Sequence, residues 1–134
     1  YAAVKSFMSK IVEEAKKDKL VKTLYNRKIH VPNIEAGNYM MRQGSERAAI
    51  NGPLQGSAAD IIKIAMIKIQ DLINNDKSDI KMILQVHDEL IFEVPADFRD
   101  EDIKPIISIM EETTKISVPL KVEYGFGANW REAH

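Results

Sequence analysis

The chain has 134 residues and no cysteine, and it carries a formal net charge of −1 with 45% hydrophobic and 29% charged residues. This composition is typical of one soluble globular domain with a core of its own. The lack of cysteine excludes disulfides and thiolate metal sites. No apolar run approaches the ~20 residues that a membrane span needs, so we expect no membrane partner.

The charge is unevenly distributed along the chain. Residues 1–47 hold ten Lys and Arg against five Asp and Glu, whereas residues 48–134 hold nine against fifteen. This asymmetry indicates a basic surface and an acidic centre in one molecule, which would suit a polyanion-binding face beside a cation-binding site. Lysines scattered over solvated helix faces would give the same counts, so charge alone leaves both interpretations open.

The first predicted elements are a helix and a hairpin. Apolar residues recur at three- and four-residue steps from Val4 to Ala15, which predicts an amphipathic helix that ends near Lys17. The following stretch, "LVKTLYNRKIHVPNI", is rich in β-branched and aromatic residues. It predicts two short strands around Tyr25-Asn26, since Asn tolerates positive φ in a turn.

Two helices are predicted next, separated by a proline. The first covers Tyr39–Ile50, and Gly52-Pro53 interrupts it because proline lacks the amide that a helix needs. Pro53 is acceptable as the first residue of a new helix. The new helix has a wide apolar face and is predicted to be the core helix; the face comprises Ala58, Ile61, Ile62, Ala65, Met66, Ile69, Leu72 and Ile73.

The last third of the chain predicts a hairpin, a helix and a strand. "IKMILQV" and "LIFEVP" are strands separated by an acidic turn, and Pro95 ends the second. "DEDIKPIISIMEETTK" predicts a helix with acids in its first turn, "VPLKVEYGF" predicts a last strand, and "GANWREAH" is a tail. Strands joined by hairpins favour an α+β fold, an antiparallel sheet with helices packed on one face.

The acidic turn is the first candidate site. In "QVHDELIFEVP", His87, Asp88 and Glu89 stand between two apolar strands. A tight turn can present Asp88 and Glu89 together, and Mg²⁺ binds through one or two carboxylates while keeping room for water and substrate phosphates. The pattern therefore suits a phosphate-bound Mg²⁺. A merely solvated acidic turn, with His87 in a structural hydrogen bond, is the alternative.

A row of hydrogen-bond donors is the second candidate site. Arg47 and Asn51 are four residues apart and share a helix face, and Gln55 follows four residues later, across Gly52-Pro53. The minor groove of a duplex offers acceptors at every base pair, nearly independent of sequence. Donors placed there would sense base-pair geometry. The alternative is a polar helix face on which Gln55 has a capping role.

Taken together, these stretches resemble the C-terminal part of family A DNA polymerases, the bacterial DNA polymerase I group. "QVHDELIFEVP" is similar to the palm hairpin motif of that family, and "ERAAINGPLQGSAADIIKIAMI" is similar to the segment before it. "KTLYNRKIHVPNI" resembles a "TLxGRRRxxPDI" stretch, "YAAVKSFMSKIVEEA" the helix after the fingers, and "GANWREAH" the chain end. The resemblance runs in order over essentially all of the chain.

The resemblance implies a role for each candidate residue. Asp88 is one of two aspartates that bind the catalytic Mg²⁺ pair, and Glu89 is a supporting catalytic carboxylate. The remaining residues contact DNA: His87 at the primer terminus, Arg47, Asn51 and Gln55 in the minor groove of the primer–template end, and Arg27 and Lys28 at phosphates.

The resemblance also implies what residues 1–134 are: the C-terminal part of the catalytic domain, the palm segment after the fingers. The fingers, the thumb and the first metal-binding motif of the family do not occur in this sequence. The implied reaction is nucleotidyl transfer to a primer 3′-hydroxyl with two Mg²⁺, and we expect the isolated chain to be inactive. Primer–template DNA and deoxynucleoside triphosphates are the implied partners of a monomer in the bacterial cytoplasm or an organelle. The alternatives are a non-catalytic duplex-DNA-binding module and a purely structural piece.

Overall fold

The computed structural model describes residues 1–76 and 78–133. In chain order its elements are α1 (Ala2–Asp18), β1 (Leu20–Lys22), β2 (Lys28–His30), α2 (Tyr39–Asp76), β3 (Lys81–Val86), β4 (Glu89–Glu93), α3 (Lys104–Glu112) and α4 (Trp130–Ala133). β1 pairs with β2 and β3 with β4, both antiparallel. The α+β prediction is therefore confirmed, in the form of two small antiparallel sheets. No helix within the two described ranges is long and apolar enough to cross a membrane.

The chain divides into two compact units, of which the first is Tyr1–Asp60 and the second begins at Ile61. In the first unit, α1 ends at Lys19, which adopts a left-handed φ of 55° and donates its N–H to the Ala15 carbonyl at 2.8 Å. The core of this unit consists of Ala15, Val21, Val31, Ile34 and Ala49. Only the C-terminal end of the predicted apolar face of α1 is buried, since Val4 and Phe7 are exposed.

The β1–β2 hairpin forms where it was predicted. Val21 pairs with Ile29, and both side chains face the core of the first unit. The turn contains Asn26 at a φ of 62°, which confirms that this position needs a residue that tolerates the left-handed region. Thr23 closes the turn, because its amide donates to the Arg27 carbonyl and its hydroxyl accepts the Arg27 amide.

The prediction of a helix break at Gly52-Pro53 is wrong. α2 runs without interruption over Tyr39–Asp76, with Pro53 inside it. A proline in a helix interior costs ~3 kcal/mol or more, because it removes one hydrogen bond and crowds the preceding turn. Pro53 and Ala49 are both buried here, so packing of this turn offsets the local preference for a break.

The second unit packs one face of the β3–β4 hairpin against helical residues. Its core centres on Ile69, Ile73 and Ile106, with partly buried residues from β3, β4 and α3 around them. The predicted helix over 100–115 is shorter than expected, and Asp100 to Asp102 precede it instead of forming its first turn. Pro105 explains the late start, because proline is tolerated in a first helical turn and not in the interior.

The predicted last strand is also wrong. Residues 118–126 are not assigned to any strand among the described residues. Strand preference needs a neighbouring strand to be expressed, and this segment instead donates the Val122 amide to the Glu111 carboxylate at 3.0 Å. The tail forms α4, and Asn129 directly before it exchanges two hydrogen bonds with Glu132: the Asn129 side-chain amide donates to the Glu132 carboxylate, and the Glu132 backbone N–H donates to Asn129 Oδ1. His134, the last residue of "GANWREAH", lies outside the described residues.

Candidate active site

The acidic turn lies at the tip of the β3–β4 hairpin. Val86 pairs with Glu89, so the turn contains only His87 and Asp88. His87 adopts a φ of 52° at the first turn position, as the primed turns of two-residue hairpins require. Gln85 donates its side-chain amide to the His87 carbonyl at 3.1 Å. The backbone of the turn is thus held by pairing on both sides and by one side chain.

The two candidate metal ligands, Asp88 and Glu89, differ in their solvent exposure. Asp88 is exposed in the turn, whereas Glu89 is the first residue of β4 and is partly buried. The two acids, which the sequence predicts to be presented together at the turn, therefore differ in exposure, and their joint role as ligands stays a prediction. His87, the third residue of this site, is exposed.

The donor set suits a hard cation in part. Carboxylate oxygens are the ligands that Mg²⁺ prefers, and it needs only one or two of them beside water and phosphate oxygens. Within residues 1–76 and 78–133, no three His, Asp or Glu side chains converge in a group that could hold a metal. The carboxylates of Asp88 and Glu89 therefore fit part of a magnesium coordination shell and not a complete protein cage, and their role as metal ligands stays a prediction.

The second candidate site is a row of polar side chains on α2, which comprises Arg47, Asn51 and Gln55 and is called the polar row below. All three residues are exposed. Because α2 continues through Pro53, the three positions are spaced four residues apart on one face, about 6 Å of helix rise between neighbours. Arg47 and Asn51 also border a shallow apolar cavity with Met8 and Ile50.

Arg27 and Lys28 lie at the end of the β1–β2 turn, and they differ in the contacts that their side chains make. Lys28 is exposed on β2. Arg27 Nε donates to the Asp60 carboxylate at 2.8 Å, and Arg27 Nη2 donates to the Gly56 carbonyl at 3.0 Å. The guanidinium of Arg27 is therefore engaged with α2, a partnership that the sequence-based interpretation of Arg27 as a phosphate ligand did not anticipate.

Three residues of α2 that the sequence interpretation missed accept hydrogen bonds from the β1–β2 hairpin. Gly56 and Asp60 bind Arg27, and Ser57 accepts the Leu24 amide at 2.8 Å through its hydroxyl. A Cβ at Gly56 would lie 2.7 Å from Thr23 Cγ2, so the hairpin approaches the bare helix backbone. The spacing of Gly52 and Gly56, one helical turn apart, is the sequence signal that could have indicated this approach.

A charged pair closes the other end of the β3–β4 hairpin. Lys81 and Glu93 are cross-strand partners, and their side chains form a 2.8 Å ion pair. The hydrogen bond to Glu93, with its charge, raises the pKa of Lys81, and the same contact lowers the pKa of Glu93. Both side chains are exposed, so this pair contributes to the pairing of the strand ends and is not a buried functional site.

Comparison with known proteins gives a consistent result. Residues 1–132 match the model of DNA polymerase family A. DNA polymerase I of Lactococcus lactis subsp. cremoris is 45% identical over 134 residues, which are 99% of this chain and 15% of that protein. DNA polymerase I of Bacillus caldotenax is 41% identical over 133 residues, again 99% of this chain and 15% of that protein. This chain therefore spans about 15% of the length of these relatives.

A solved structure matches the fold as well. The chain is similar to the POL domain of Pol1 from M. smegmatis, determined in complex with DNA primer-template and dNTP, with a TM-score of 0.95 and 37% sequence identity. The match covers 99% of this chain and 24% of that one.

Proposed function

This chain belongs to DNA polymerase family A, and we propose on that premise that it is the C-terminal part of the catalytic domain of a template-directed DNA polymerase. The reaction is transfer of a nucleotide from a deoxynucleoside triphosphate to the 3′-hydroxyl of a primer. In this proposal residues 1–134 are the palm segment that follows the fingers. The exposed Asp88 at the tip of a two-residue turn is the single observation that carries the proposal beyond the family assignment.

Asp88 binds magnesium in this proposal, and Glu89 supports it from the start of β4. When bound, a pair of Mg²⁺ ions supplies charge stabilisation for the attacking and leaving oxygens of the transfer. The contribution of this chain is to hold a carboxylate at a fixed point, because the turn that carries Asp88 is paired on both sides. His87, in the same turn, contacts the primer terminus.

The polar row binds the minor groove of the primer–template end. Its three side chains are exposed on one face of α2, and each can donate hydrogen bonds to the purine N3 and pyrimidine O2 acceptors of the groove. These acceptors occupy similar positions in all correct base pairs, so donors there favour a correctly paired primer end without reading its sequence. Lys28, exposed on β2, is retained as a phosphate contact.

The isolated chain is inactive in this proposal. A two-metal transfer positions two Mg²⁺ ions about 3.5–4 Å apart, and in this proposal Asp88, with Glu89 in support, is one side of that site and cannot place both ions alone. We therefore expect the complete polymerase to extend a primer in the presence of dNTPs and Mg²⁺, and the 134-residue chain to give no template-directed product.

The same assay separates the alternatives. Template-directed synthesis by the isolated chain would overturn its proposed inactivity, and failure of the complete protein to extend any primer would overturn the polymerase assignment. Duplex binding by the chain that falls steeply with salt, without synthesis, is the result expected of a DNA-binding module. Binding that is absent even at low salt would favour a structural piece. Location in the cytoplasm or an organelle and the monomeric state stay predictions.

A further inference from the structure

The contact between the β1–β2 hairpin and α2 lies beside the polar row. It consists of the hydrogen bonds that Leu24 and Arg27 donate to Gly56, Ser57 and Asp60, and it is called the hairpin anchor below. Gln55 precedes Gly56 directly, so the anchor fixes the helical turn from which Gln55 projects.

This turn of α2 is intrinsically weak. Pro53 has no N–H, so the helix loses one backbone hydrogen bond at the point where the polar row crosses it. Ser57 adds a side-chain hydrogen bond to the Pro53 carbonyl at 2.5 Å, an arrangement that bends helices. A proline and a back-bonding serine both favour bending of a helix, so contacts from outside α2 can stabilise this turn.

Arg27 provides the main part of that support. Its side chain reaches two acceptors one turn apart, the Gly56 carbonyl and the Asp60 carboxylate. Asp60 is well covered, with 12% of its side chain exposed, while 48% of the Arg27 side chain is exposed. A planar guanidinium can satisfy two acceptors in a fixed geometry, which a lysine ammonium does not reproduce.

Gly52 and Gly56 allow the β1–β2 hairpin to approach the backbone of α2 closely. A Cβ at Gly56 would lie 3.0 Å from Ile29 Cδ1 and 3.2 Å from Arg27 Nη2, and a Cβ at Gly52 would lie 3.4 Å from Ile29 Cδ1. The hairpin thus rests on the helix backbone on a face next to the one that carries Asn51 and Gln55. Movement of the hairpin would change the direction in which the polar row points.

We infer that Arg27 is a positioning residue, which acts through Asp60 and Gly56 to hold Gln55 and Asn51 in the orientation needed at the primer end. It does not act as a phosphate ligand. The consequence for catalysis rests on the proposed function, whereas the effect of Arg27 on the helix is independent of it. These two parts can be tested separately in one set of variants.

The variants are Arg27→Ala, Arg27→Lys and Asp60→Ala in the full-length protein that contains this chain, with Lys22→Ala as the control. Lys22 is an exposed basic residue of the same hairpin. We expect hydrogen exchange of the backbone amides of residues 54–60 to accelerate about tenfold in the three anchor variants, and to stay at the wild-type rate in Lys22→Ala. Unchanged exchange in Arg27→Ala would overturn the inference.

Primer extension tests the catalytic consequence. We expect Arg27→Ala and Arg27→Lys each to lower the single-nucleotide incorporation rate about tenfold, less than the ~100-fold that a displacement of 1 Å costs in an active site. If Arg27 acts through Gln55, then Arg27→Ala in a Gln55→Ala background has little further effect. Fully multiplicative losses would contradict a positioning role.

Salt dependence separates positioning from phosphate binding. Loss of one phosphate contact lowers the slope of log affinity against log salt by about 1, so Arg27→Ala should leave this slope unchanged. A reduced slope in Arg27→Ala that Arg27→Lys restores would identify Arg27 as a phosphate ligand and overturn the inference. If the wild-type protein fails to extend a primer, the proposed function fails, and the exchange measurement still decides whether Arg27 holds the helix.

Discussion

Val86 and Glu89 pair directly across the tip of the β3–β4 hairpin, so that His87 and Asp88 alone form its turn. Because each strand continues into a paired register, the Asp88 carboxylate is presented from backbone that is fixed on both sides. A single carboxylate in such a position can serve as a metal ligand with little reorganisation, which makes Asp88 the residue on which the proposed chemistry depends.

Asp88→Ala in the complete polymerase is therefore expected to abolish synthesis while leaving duplex binding mostly intact. The loss should be at least about 1,000-fold in incorporation rate, since it removes ~4 kcal/mol of metal-based charge stabilisation. Asp71→Ala, which removes an exposed aspartate from α2, is the matched control and should retain full activity. Activity of Asp88→Ala within a few-fold of wild type would show that the metal assignment is wrong.

Substitutions in the polar row are expected to slow synthesis less than Asp88→Ala and to leave its magnesium dependence unchanged. Gln55→Ala or Arg47→Ala should slow extension about tenfold and impair discrimination at the primer end, because in the proposed function the minor-groove acceptors lose a donor worth ~1–3 kcal/mol. The Mg²⁺ concentration for half-maximal rate should not change. Gln70→Ala, an exposed glutamine further along the same helix, serves as the control. A shifted magnesium requirement in Gln55→Ala would argue against a DNA-facing role.

The accuracy of the sequence interpretation follows from how local each signal is. The β1–β2 turn at Asn26 and the β3–β4 turn at Asp88 were predicted in place, because turn residues act within a few positions. The break at Pro53 was predicted wrongly, because α2 packs at Gly52 and Gly56 against the β1–β2 hairpin, which is distant in sequence. Residues 118–126 have strand preference, but a strand requires a partner that pattern alone does not reveal.

In the candidate site, too, local motifs were predictable from the sequence and contacts between distant residues were not. Asp88, His87 and the polar row follow from motifs, since each is a short cluster with a recognisable chemistry. Their actual contacts with DNA and metal stay predictions. The engagement of Arg27 with Asp60 joins residues that are 33 apart in the chain, and charge alone cannot indicate which acceptor an arginine will bind.

Two glycines of α2 are expected to respond to the same substitution with opposite signs. Gly56→Ala should destabilise the protein by ~1–2 kcal/mol, because the cost of overpacking against Thr23 exceeds the gain in helix preference. Thr23 cannot turn away without losing its hydrogen bond to the Arg27 amide. Gly44→Ala meets nothing within 4 Å and should stabilise by ~0.5–1 kcal/mol. Urea unfolding curves of both variants measure the difference, and stabilisation by Gly56→Ala would contradict the close approach.

The Lys81–Glu93 pair predicts a pH window for its own contribution to stability. The pKa of Glu93 is lowered by its hydrogen bond to Lys81, so the stabilisation is fully present above the usual glutamate value of 4.5 and is lost as pH falls through the lowered pKa. The pKa of Lys81 is raised by the same contact, so the stabilisation is fully present below the usual lysine value of 10.5 and is lost as pH rises through the raised pKa.

The free energy of unfolding of wild type minus that of Glu93→Gln should therefore be constant between these limits and decline outside them. It should also shrink at high salt, because both side chains are exposed. A difference that is unchanged at pH 3 would show that Glu93 stabilises the hairpin by packing and not through its charge.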